Sequence, residues 1–524
     1  MSAHDQFLAD ATPRSRARAI PAWLAITLAI AAVKLLVHVA LAGRYGYFRD
    51  ELYFLACGEH LDWGYVDHAP LVGLYAKLGR ELFGESLAGI RFLPAVAGAL
   101  KVVMTGLIAR ELGGRAYAAG LASLCVLLAP VYLGIDHLLS MNVFEPLFWM
   151  GCAYLLVLAI NRDDARYFVP FGAVAGLGLM NKHSMVFFGG ALVAGLLLTR
   201  HRRFLATPWF WLGGAVAALL FAPNLWWEYR HDWATLELLR NVQETGKNVV
   251  LSPLEFVGQQ FLIMHPLSAP VWLAGLWYLL ADREGRRYRP LGIAYFVALA
   301  LMIAMHGKHY YLAPIYPMLF AAGGVAIERL TASIPRLRWA RVAVPAILLA
   351  GGLALAPIFV PVLPVESLIA YQRAIGFEVP KTEVGHTGPL PQYYGDQFGW
   401  PEMVEQVAAA YHALPPEERA KAGIYASNYG EAGAIDLFGP KYGLPPAISP
   451  HQNYFLWGPR DVTGEVLIVL QSEREELEEH FASVEAAGEV GHPYSMGDEH
   501  YTIFVCRGLR QPLSTLWPSL KHWN

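Results

Sequence analysis

Charged residues are scarce in this sequence. Only 16% of its 524 residues are Asp, Glu, Lys or Arg, whereas 55% are hydrophobic. Soluble domains usually carry about a quarter charged residues, so this composition excludes an ordinary soluble protein. The formal net charge of −3, without a basic arm, gives no indication of a nucleic-acid partner.

Cysteine is scarce as well, and the familiar cysteine motifs are missing. Cys57, Cys125, Cys152 and Cys506 form no CxxC pair and no Cys/His spacing, which speaks against a zinc finger or a redox motif. Pairing of Cys57 with Cys506 stays open. Residues 1–20 are polar and rich in arginine without a cleavage site, so we predict a cytoplasmic tail rather than a signal peptide.

Long apolar runs are what the sequence has instead. Runs that approach the length a bilayer requires, about 17–25 residues, recur through the first 360 positions. We predict about eleven spans, near residues 22–42, 91–110, 116–134, 143–160, 168–181, 184–199, 209–223, 265–281, 290–306, 310–327 and 340–360. Arginine-bearing connections alternate with acid-bearing ones, so the positive-inside rule predicts a cytoplasmic N-terminus and an extracytoplasmic C-terminus.

The composition changes at about residue 364. Proline-rich connections, a predicted acidic helix at Ser472–Ala486 and strand-like runs at Ile424–Ala426, Val466–Leu470 and Tyr501–Cys506 indicate a soluble α/β domain. The predicted fold class is therefore a polytopic α-helical membrane protein with a C-terminal α/β domain. Its domains would be a transmembrane catalytic part, residues 1–363, with a first extracytoplasmic loop at about 43–90, and an extracytoplasmic domain, residues 364–524.

The first loop carries the most unusual polar segment, Tyr47–Pro70. Asp50 and Glu51 stand side by side just after the first apolar run. One interpretation is that Asp50 caps a short helix and Glu51 complements the helix dipole. The other is that Asp50 is a general base, which requires a well-placed carboxylate.

Further polar groups fall on the same side of the membrane by this topology. Arg91, Lys182 and Lys308 are cations at span ends, where they could hold a lipid-linked phosphate or merely extend to the interface. Acids and bases within or beside spans are functional hypotheses by default. The weaker substrate-binding candidates are Asp67, His68, Glu145, His183, His309 and Tyr311. Without an HxH, HxxxH or DxD spacing, a divalent metal stays open but is not favoured.

Several motifs together resemble a known family. RDELYFLACGEHLDWGYVDHAPLVGLYAKL, IRFLPAVAGAL, SMNVFEPLFW, GLGLMNKHSM and GKHYYLAPIYPML, over about residues 20–330, resemble the polytopic GT-C glycosyltransferases. The likeness is closest to the bacterial branch related to protein O-mannosyltransferases and the lipid A aminoarabinose transferase. In the C-terminal part, ASNYGEAGAIDLFG and NYFLWGP are similar to the periplasmic domain of some bacterial members.

The resemblance implies transfer of a sugar from a polyprenyl-phosphate donor to an extracytoplasmic acceptor, with inversion and without a required cofactor. It matches Asp50 and its neighbour Glu51 to the first-loop acids of the family. Arg91, Lys182 and Lys308 match its cationic positions, and Glu145 before Pro146 matches its second acidic motif approximately. The family's His-Pro-Pro, or Lys-Pro-Pro in the aminoarabinose branch, is here His68-Ala69-Pro70, which leaves the acceptor open.

The sequence therefore predicts a bacterial inner-membrane glycosyltransferase with Asp50 as general base and lipid A, another envelope glycan or a protein as acceptor. Two alternatives remain. A proton-coupled transporter would place ionisable groups near the midplane of broken helices. A non-catalytic scaffold would bind a lipid-linked sugar without turning it over.

Overall fold

The computed structural model describes residues 20–376, 381, 383–384 and 388–524. A bundle of apolar helices forms the first two thirds of the chain, and a small sheet with surrounding helices forms the last third. Nearly all of the predicted N-terminal tail lies outside the described residues. The mostly helical architecture with a C-terminal sheet confirms the predicted fold class.

The bundle and its connections contain helices α1 to α17. Their bounds are α1 (Ala22–Leu41), α2 (Arg49–Glu59), α3 (Leu71–Phe83), α4 (Leu87–Ile90), α5 (Phe92–Glu111), α6 (Ala116–Leu128), α7 (Pro130–Ile135), α8 (Met141–Arg162), α9 (Phe168–Asn181), α10 (Met185–Leu197), α11 (Pro208–Arg230), α12 (Ala234–Thr245), α13 (Pro253–Ile263), α14 (Ala269–Leu280), α15 (Arg289–Ala304), α16 (Tyr316–Ser333) and α17 (Ala340–Phe359). Short 3₁₀ turns precede several of these helices, among them Arg200–Ala206, Gly285–Tyr288 and His309–Ile315.

Within the described residues, seven helical segments are long and apolar enough to cross a bilayer. They are Ala22–Leu41, Leu87–Glu111, Met141–Arg162, Pro208–Arg230, Gly285–Ala304, His309–Ser333 and Pro335–Phe359. Pro253–Ile263 and Pro266–Leu280 would form an eighth span together, although they are bent by 93° at their junction. The shorter apolar helices α6 and α10 do not meet the length criterion, so the multi-pass character is confirmed while the count of eleven stays a prediction.

Glycines allow several of these helices to approach closely. A Cβ atom on Gly172 of α9 would lie 2.7 Å from the Cα atom of Gly213 on α11. On α16, a Cβ atom at Gly323 would lie 2.7 Å from the carbonyl carbon of Val271 on α14. Helices in lipid gain little from hydrophobic burial against each other, so close backbone packing of this kind is a main source of their association.

The two ends of the bundle differ in charge. At one end, arginine-bearing connections form ion pairs with their neighbours, as Arg162 does with Glu111 at 3.7 Å and Arg329 with Glu284 at 2.6 Å. The other end carries the first loop and the C-terminal domain. This separation agrees with the alternation seen in the sequence, and which end faces the cytoplasm stays a prediction.

The C-terminal part consists of a four-stranded sheet and short helices. Its helices are α18 (Val365–Ile375), α19 (Gln392–Gly395), α20 (Trp400–Ala413), α21 (Pro416–Arg419), α22 (Tyr429–Phe438), α23 (Gln452–Trp457), α24 (Arg474–His480) and α25 (Leu513–Leu516). Its strands are β1 (Ala422–Tyr425), β2 (Val466–Val469), β3 (Phe481–Val490) and β4 (Tyr501–Leu509), in the spatial order β1-β2-β4-β3. β1 and β2 are parallel, and the other two pairs are antiparallel.

The predicted helix Ser472–Ala486 is wrong in its second half. Only α24 is helical there, and the chain then enters β3, an edge strand paired with β4. Most of the side chains of β3 are exposed or half-buried, so the strand lacks the alternating apolar pattern that identifies a strand in sequence. Pairing with β4 decides its conformation, which local composition does not reveal.

The first loop and the C-terminal domain share one hydrophobic core. α2 packs against α22 so closely that a Cβ atom on Gly433 would lie 2.8 Å from the carbonyl carbon of Leu52. Leu52, Tyr53, Trp400 and Ala432 are buried in the same apolar cluster. Residues nearly 400 positions apart are therefore parts of one folded unit, and this unit holds Asp50.

Candidate active site between the first loop and the C-terminal domain

Asp50 lies in the first turn of α2, directly beside the C-terminal domain. Phe48 occupies the N-cap position, and its backbone N–H donates to Glu51 Oε2 at 2.9 Å. Asp50 is therefore not the helix cap that one interpretation of the sequence assumed. Its carboxylate instead accepts a hydrogen bond from the hydroxyl of Tyr429, the first residue of α22, and Oδ1 lies 2.8 Å from the phenolic oxygen.

The surroundings of Asp50 favour its protonated form. Burial raises the pKa of Asp50, and the nearby negative charges of Asp67 and Glu383 raise it further. The hydrogen bond from Tyr429 acts in the opposite direction, since it stabilises the carboxylate. A carboxylate with a raised pKa accepts a proton more readily than an ordinary one, which suits a general base.

Lys308 lies on the bundle side of Asp50, at the start of the 3₁₀ turn that leads into α16. Its Nζ atom lies 2.7 Å from Glu383 Oε1. Burial alone would lower the pKa of Lys308, but the charges of Glu383 and Asp50 and the Tyr311 hydroxyl raise it above its ordinary value. Lys308 is therefore a stable cation within electrostatic reach of Asp50.

Lys182 adds a second cation to the same region. Its Nζ atom donates to Asn142 Oδ1 at 2.7 Å and to Glu145 Oε2 at 3.1 Å, and it lies 4.2 Å from the centre of the Tyr311 ring. The side chains of Lys182 and Lys308 are each 15% exposed, so neither lysine is sealed from a ligand. The structure thus links four sequence-predicted residues: Lys182 contacts Glu145 and Tyr311, and Tyr311 is an electrostatic neighbour of Lys308, which in turn is a neighbour of Asp50.

Glu51 and Arg91 form a closed ion pair instead. The Nε and Nη2 atoms of Arg91 donate to the two carboxylate oxygens of Glu51 at 2.9 and 2.7 Å, and both side chains are buried. Arg91 also donates to the backbone oxygens of Ala42 and Gly46, while Glu51 accepts from the backbone N–H of Leu139. This arrangement argues against the predicted roles of Glu51 in catalysis and Arg91 in phosphate binding, because both side chains are occupied in holding the loop to α5.

Asp67 lies on the wall of the site next to Asp50. It accepts a hydrogen bond from the Tyr53 hydroxyl at 2.8 Å, and the Tyr53 ring stacks on Tyr429 with 4.6 Å between ring centres. Tyr53 of the first loop therefore donates a hydrogen bond to Asp67, and Tyr429 of the C-terminal domain donates one to Asp50. Asp67 keeps a 20% exposed side chain and stays a substrate-binding candidate.

The predicted histidines are less accessible. His68 is buried, with Nδ1 3.0 Å from the backbone oxygen of Ala69, and His309 is buried beside Gln260. His183 forms a 2.9 Å hydrogen bond through Nε2 with Asn224 Oδ1. These contacts give the side chains of His68 and His183 structural partners, and His309 is enclosed by burial. Among the residues that the structure describes, no group of three or more His, Cys, Asp or Glu side chains is arranged to hold a metal ion.

Sequence reasoning missed the residues that reach the site from elsewhere in the chain. Tyr429 is the most important, and it is positioned by Asn428, whose Oδ1 accepts from the backbone N–H groups of Gly430 and Glu431 at 2.9 and 3.0 Å. Tyr429 lies in the motif ASNYGEAG, but nothing in that motif indicates Asp50 as a partner. Glu383 and Asn142 were missed for the same reason.

A second group of charges lies inside the bundle, away from the site. Asp136 binds two lysines, Lys34 at 2.8 Å and Lys101 at shorter range, and all three side chains are fully buried. His38 and His137 lie beside them with ring centres 6.0 Å apart. Asp136 and His137 lie in the connection between α7 and α8, and both side chains are buried. All four cysteines of the chain are buried and unpaired.

Comparison with known proteins agrees with this architecture. Residues 67–227 match the family model described as dolichyl-phosphate-mannose-protein mannosyltransferase. A curated relative, the lipid A galacturonosyltransferase RgtD of Rhizobium johnstonii, is 28% identical over 252 residues, which is 46% of this chain and 50% of that protein. The match thus spans about half the length of this relative.

Solved structures resemble the chain over most of its length. ArnT from Cupriavidus metallidurans bound to undecaprenyl phosphate has a TM-score of 0.60 at 16% identity, covering 92% of this chain and 98% of that one. Its apo structure gives 0.58 at 16% identity, with 92% and 97% covered. The mycobacterial arabinofuranosyltransferase AftD gives 0.52 at 15% identity, covering 93% of this chain and 40% of that protein. At these identities the likeness shows the fold, which includes the C-terminal sheet domain.

Proposed function

We propose that this chain, which carries a domain of the dolichyl-phosphate-mannose-protein mannosyltransferase family at residues 67–227, transfers a sugar from a polyprenyl-phosphate donor to an acceptor of the cell envelope. One observation carries the proposal. A carboxylate with a raised pKa, Asp50, lies within electrostatic reach of the partly exposed Lys308, and Tyr311 links Lys308 to a second partly exposed lysine, Lys182, at the end of a membrane-embedded bundle. The fold that the chain shares with ArnT supports it.

The lysines would hold the donor phosphate. A lipid phosphate is anionic, and cations bind it best where water is scarce. The ring of Tyr311 lies against Lys182, and the Tyr311 hydroxyl raises the pKa of Lys308. Tyr311 is therefore a neighbour of both lysines. Each lysine already has a carboxylate partner, Glu145 or Glu383, and a phosphate would have to join or replace that partner.

Asp50 would activate the acceptor. An acceptor hydroxyl oxygen attacks the anomeric carbon and forms the new glycosidic bond, while its proton passes to Asp50. The bond between that carbon and the phosphate oxygen breaks, and its electron pair remains on the polyprenyl phosphate, where the lysines stabilise the charge. The attack and the departure occur on opposite faces of the sugar, so the configuration inverts. Proton, electrons and leaving group are thereby accounted for without a metal.

The remaining polar residues support this arrangement. The Glu51–Arg91 pair fixes the start of α2, and Tyr429 orients the Asp50 carboxylate from the C-terminal domain. Tyr429 is therefore a positioning residue, and the C-terminal domain forms one wall of the site. Orientation with the site outside the cytoplasm, as charge alternation predicts, would bring it to the envelope acceptors.

We propose that the transferred sugar is a hexuronic acid and that the acceptor is lipid A. The curated relative is named for galacturonic acid transfer to lipid A. The first-loop sequence His68-Ala69-Pro70 lacks the lysine of the aminoarabinose branch, which places the chain outside that branch. Other sugars remain alternatives that the assay separates.

The test uses the purified full-length protein in lipid nanodiscs. Undecaprenyl-phosphate derivatives of a hexuronic acid, a hexose and a pentose are each incubated with the protein and lipid A. The mass of the product is then measured by mass spectrometry. We expect a mass gain of one sugar residue with the wild type and none with Asp50→Asn. Glu59→Gln, on the same helix but in an exposed ion pair with Arg80, is the matched control and should remain active. Full activity of a folded Asp50→Asn variant would refute the assignment of the base.

A further inference from the structure

A cavity lies at the end of the bundle opposite Asp50. It has a volume of about 990 Å³ and is lined by residues 197–202, at the end of α10 and just after it, and by residues 283, 284, 286, 287 and 289, just before α15 and at its start. We call it the arginine groove because six of its lining residues are arginines: Arg200, Arg202, Arg283, Arg286, Arg287 and Arg289. Two leucines at its edge, Leu197 and Leu198, are 54% and 72% exposed.

The charge of the arginine groove is almost entirely positive. Among the described residues that line it, Glu284 is the one acid, and it is engaged by Arg329 at 2.6 Å from outside the groove. Arg286 and Arg289 donate through Nε to the backbone oxygens of Ala281 and Leu280, each at 2.9 Å. These bonds fix the side chains and leave the terminal nitrogens of both guanidinium groups for other partners.

The two halves of the groove are held together by a buried histidine. His201 is 2% exposed, and its Nε2–H donates to the backbone oxygen of Arg287 at 2.7 Å. Its other ring nitrogen, Nδ1, is buried without a partner among the described atoms. The bond joins the 3₁₀ turn after α10 to the 3₁₀ turn before α15, so the arginines are held around a preformed space.

The positive-inside rule alone does not require such a cavity. At the same end of the bundle, Arg162 pairs with Glu111 and Arg166 pairs with Asp164. Those arginines satisfy the rule while their charges are neutralised by neighbouring acids. In the arginine groove, by contrast, the guanidinium groups of two segments surround an open volume.

We propose that the arginine groove binds the headgroup of an anionic membrane lipid with two phosphates, of the diphosphatidylglycerol type. Arginine presents a planar fork that binds phosphate oxygens in pairs, and basic pockets between spans at a membrane surface bind such headgroups. The two arginine-bearing segments would take one phosphate each. The exposed leucines at the edge would lie against the acyl chains. The inference rests on the chain spanning a membrane and is independent of the proposed transferase activity.

Native mass spectrometry of the full-length protein tests the proposal. The probes are diphosphatidylglycerol, phosphatidylglycerol, phosphatidylcholine and inorganic pyrophosphate. We expect a retained adduct with diphosphatidylglycerol and weaker binding of the two single-phosphate lipids. The double variant Arg200→Gln/Arg283→Gln should bind about 30-fold more weakly, which corresponds to about 1 kcal/mol for each basic residue near an anionic lipid.

The matched control is Arg336→Gln/Arg338→Gln, which removes two charges in another connection at the same end and should bind as the wild type does. The single variant Arg202→Gln serves if the double variant does not fold, and it should lose a smaller part of the affinity. Equal adducts in groove variants and control would overturn the proposal. If phosphatidylglycerol binds as strongly as diphosphatidylglycerol, the claim that the groove selects a headgroup with two phosphates is wrong. If pyrophosphate binds and no lipid adduct is seen, the claim that a lipid occupies the groove is wrong.

Discussion

Replacing Tyr429 by phenylalanine removes one hydroxyl and leaves the rest of the site in place. The ring would still stack between Tyr53 and His451, whose centres lie 4.6 and 4.7 Å away. What disappears is the 2.8 Å hydrogen bond to Asp50 Oδ1. The variant therefore tests whether the C-terminal domain controls the protonation of the proposed base.

The sign of the effect follows from the surroundings of Asp50. Burial raises the pKa of Asp50, and the Tyr429 hydroxyl limits that rise because it stabilises the carboxylate. Without the hydroxyl the pKa of Asp50 rises further, so a larger fraction of the enzyme is protonated and inactive at a given pH. A hydrogen bond to a charged group contributes roughly 1.5–3 kcal/mol. Because Asp50 is only half-buried, we take the lower end, which corresponds to about a tenfold change in the ionisation equilibrium.

The assay is a pH–rate profile of sugar transfer under subsaturating donor, which reports the free enzyme. We expect the acid limb of the Tyr429→Phe profile to move to higher pH, with about tenfold lower activity below the limb and nearly normal activity well above it. Tyr442→Phe is the control, because Tyr442 donates to Glu405 at the same 2.8 Å but on the exposed surface. A uniform loss of activity with an unmoved limb would show that Tyr429 is only structural or that Asp50 is not the titrating base.

Three further predictions concern stability and binding. Asp136→Asn should lower the free energy of unfolding by about 3–5 kcal/mol in a thermal or denaturant melt, because Lys34 and Lys101 would be left buried without their counter-charge; an unchanged melt would contradict this. Lys182→Met should reduce kcat/KM for the donor about 100-fold in protein that a thermal melt shows to be folded, as expected for a lost electrostatic contact to the leaving group. Burial raises the pKa of Asp50 in the folded state, so wild-type stability should fall relative to Asp50→Asn as the pH rises above about 4, where unfolded carboxyls ionise. Parallel stability curves for the two proteins would refute that account.

The sequence predicted those features that depend on local composition. Apolar runs gave helix positions close to those observed, including the break at Lys182 between α9 and α10. The strands β1, β2 and β4 were predicted from short apolar runs, whereas β3 was not, because an edge strand pairs through its backbone while its side chains face solvent.

The site was harder to predict because partner choice is a tertiary property. Asp50, Lys182 and Lys308 were selected by their place beside apolar runs, and the structure puts them in one region. The same argument predicts Arg91, yet its guanidinium group is occupied by Glu51 and by the backbone oxygens of Ala42 and Gly46. A cation beside a span has the same appearance in sequence whether its partner is a substrate or a neighbouring carboxylate. Only the fold distinguishes the two.

The core shared by α2 and α22 has a consequence for the order in which the protein matures. Asp50 and Tyr429 are 379 positions apart, so at a synthesis rate of about 5–20 residues per second roughly 20–75 s pass between them. During that time the apolar face of α2 is not covered, because α22 has not yet been synthesised. The base therefore acquires its final environment only after the membrane bundle has been inserted and α22 has been delivered. An unfinished chain therefore holds Lys182 and Lys308 of the proposed site before the Tyr429 hydroxyl reaches Asp50.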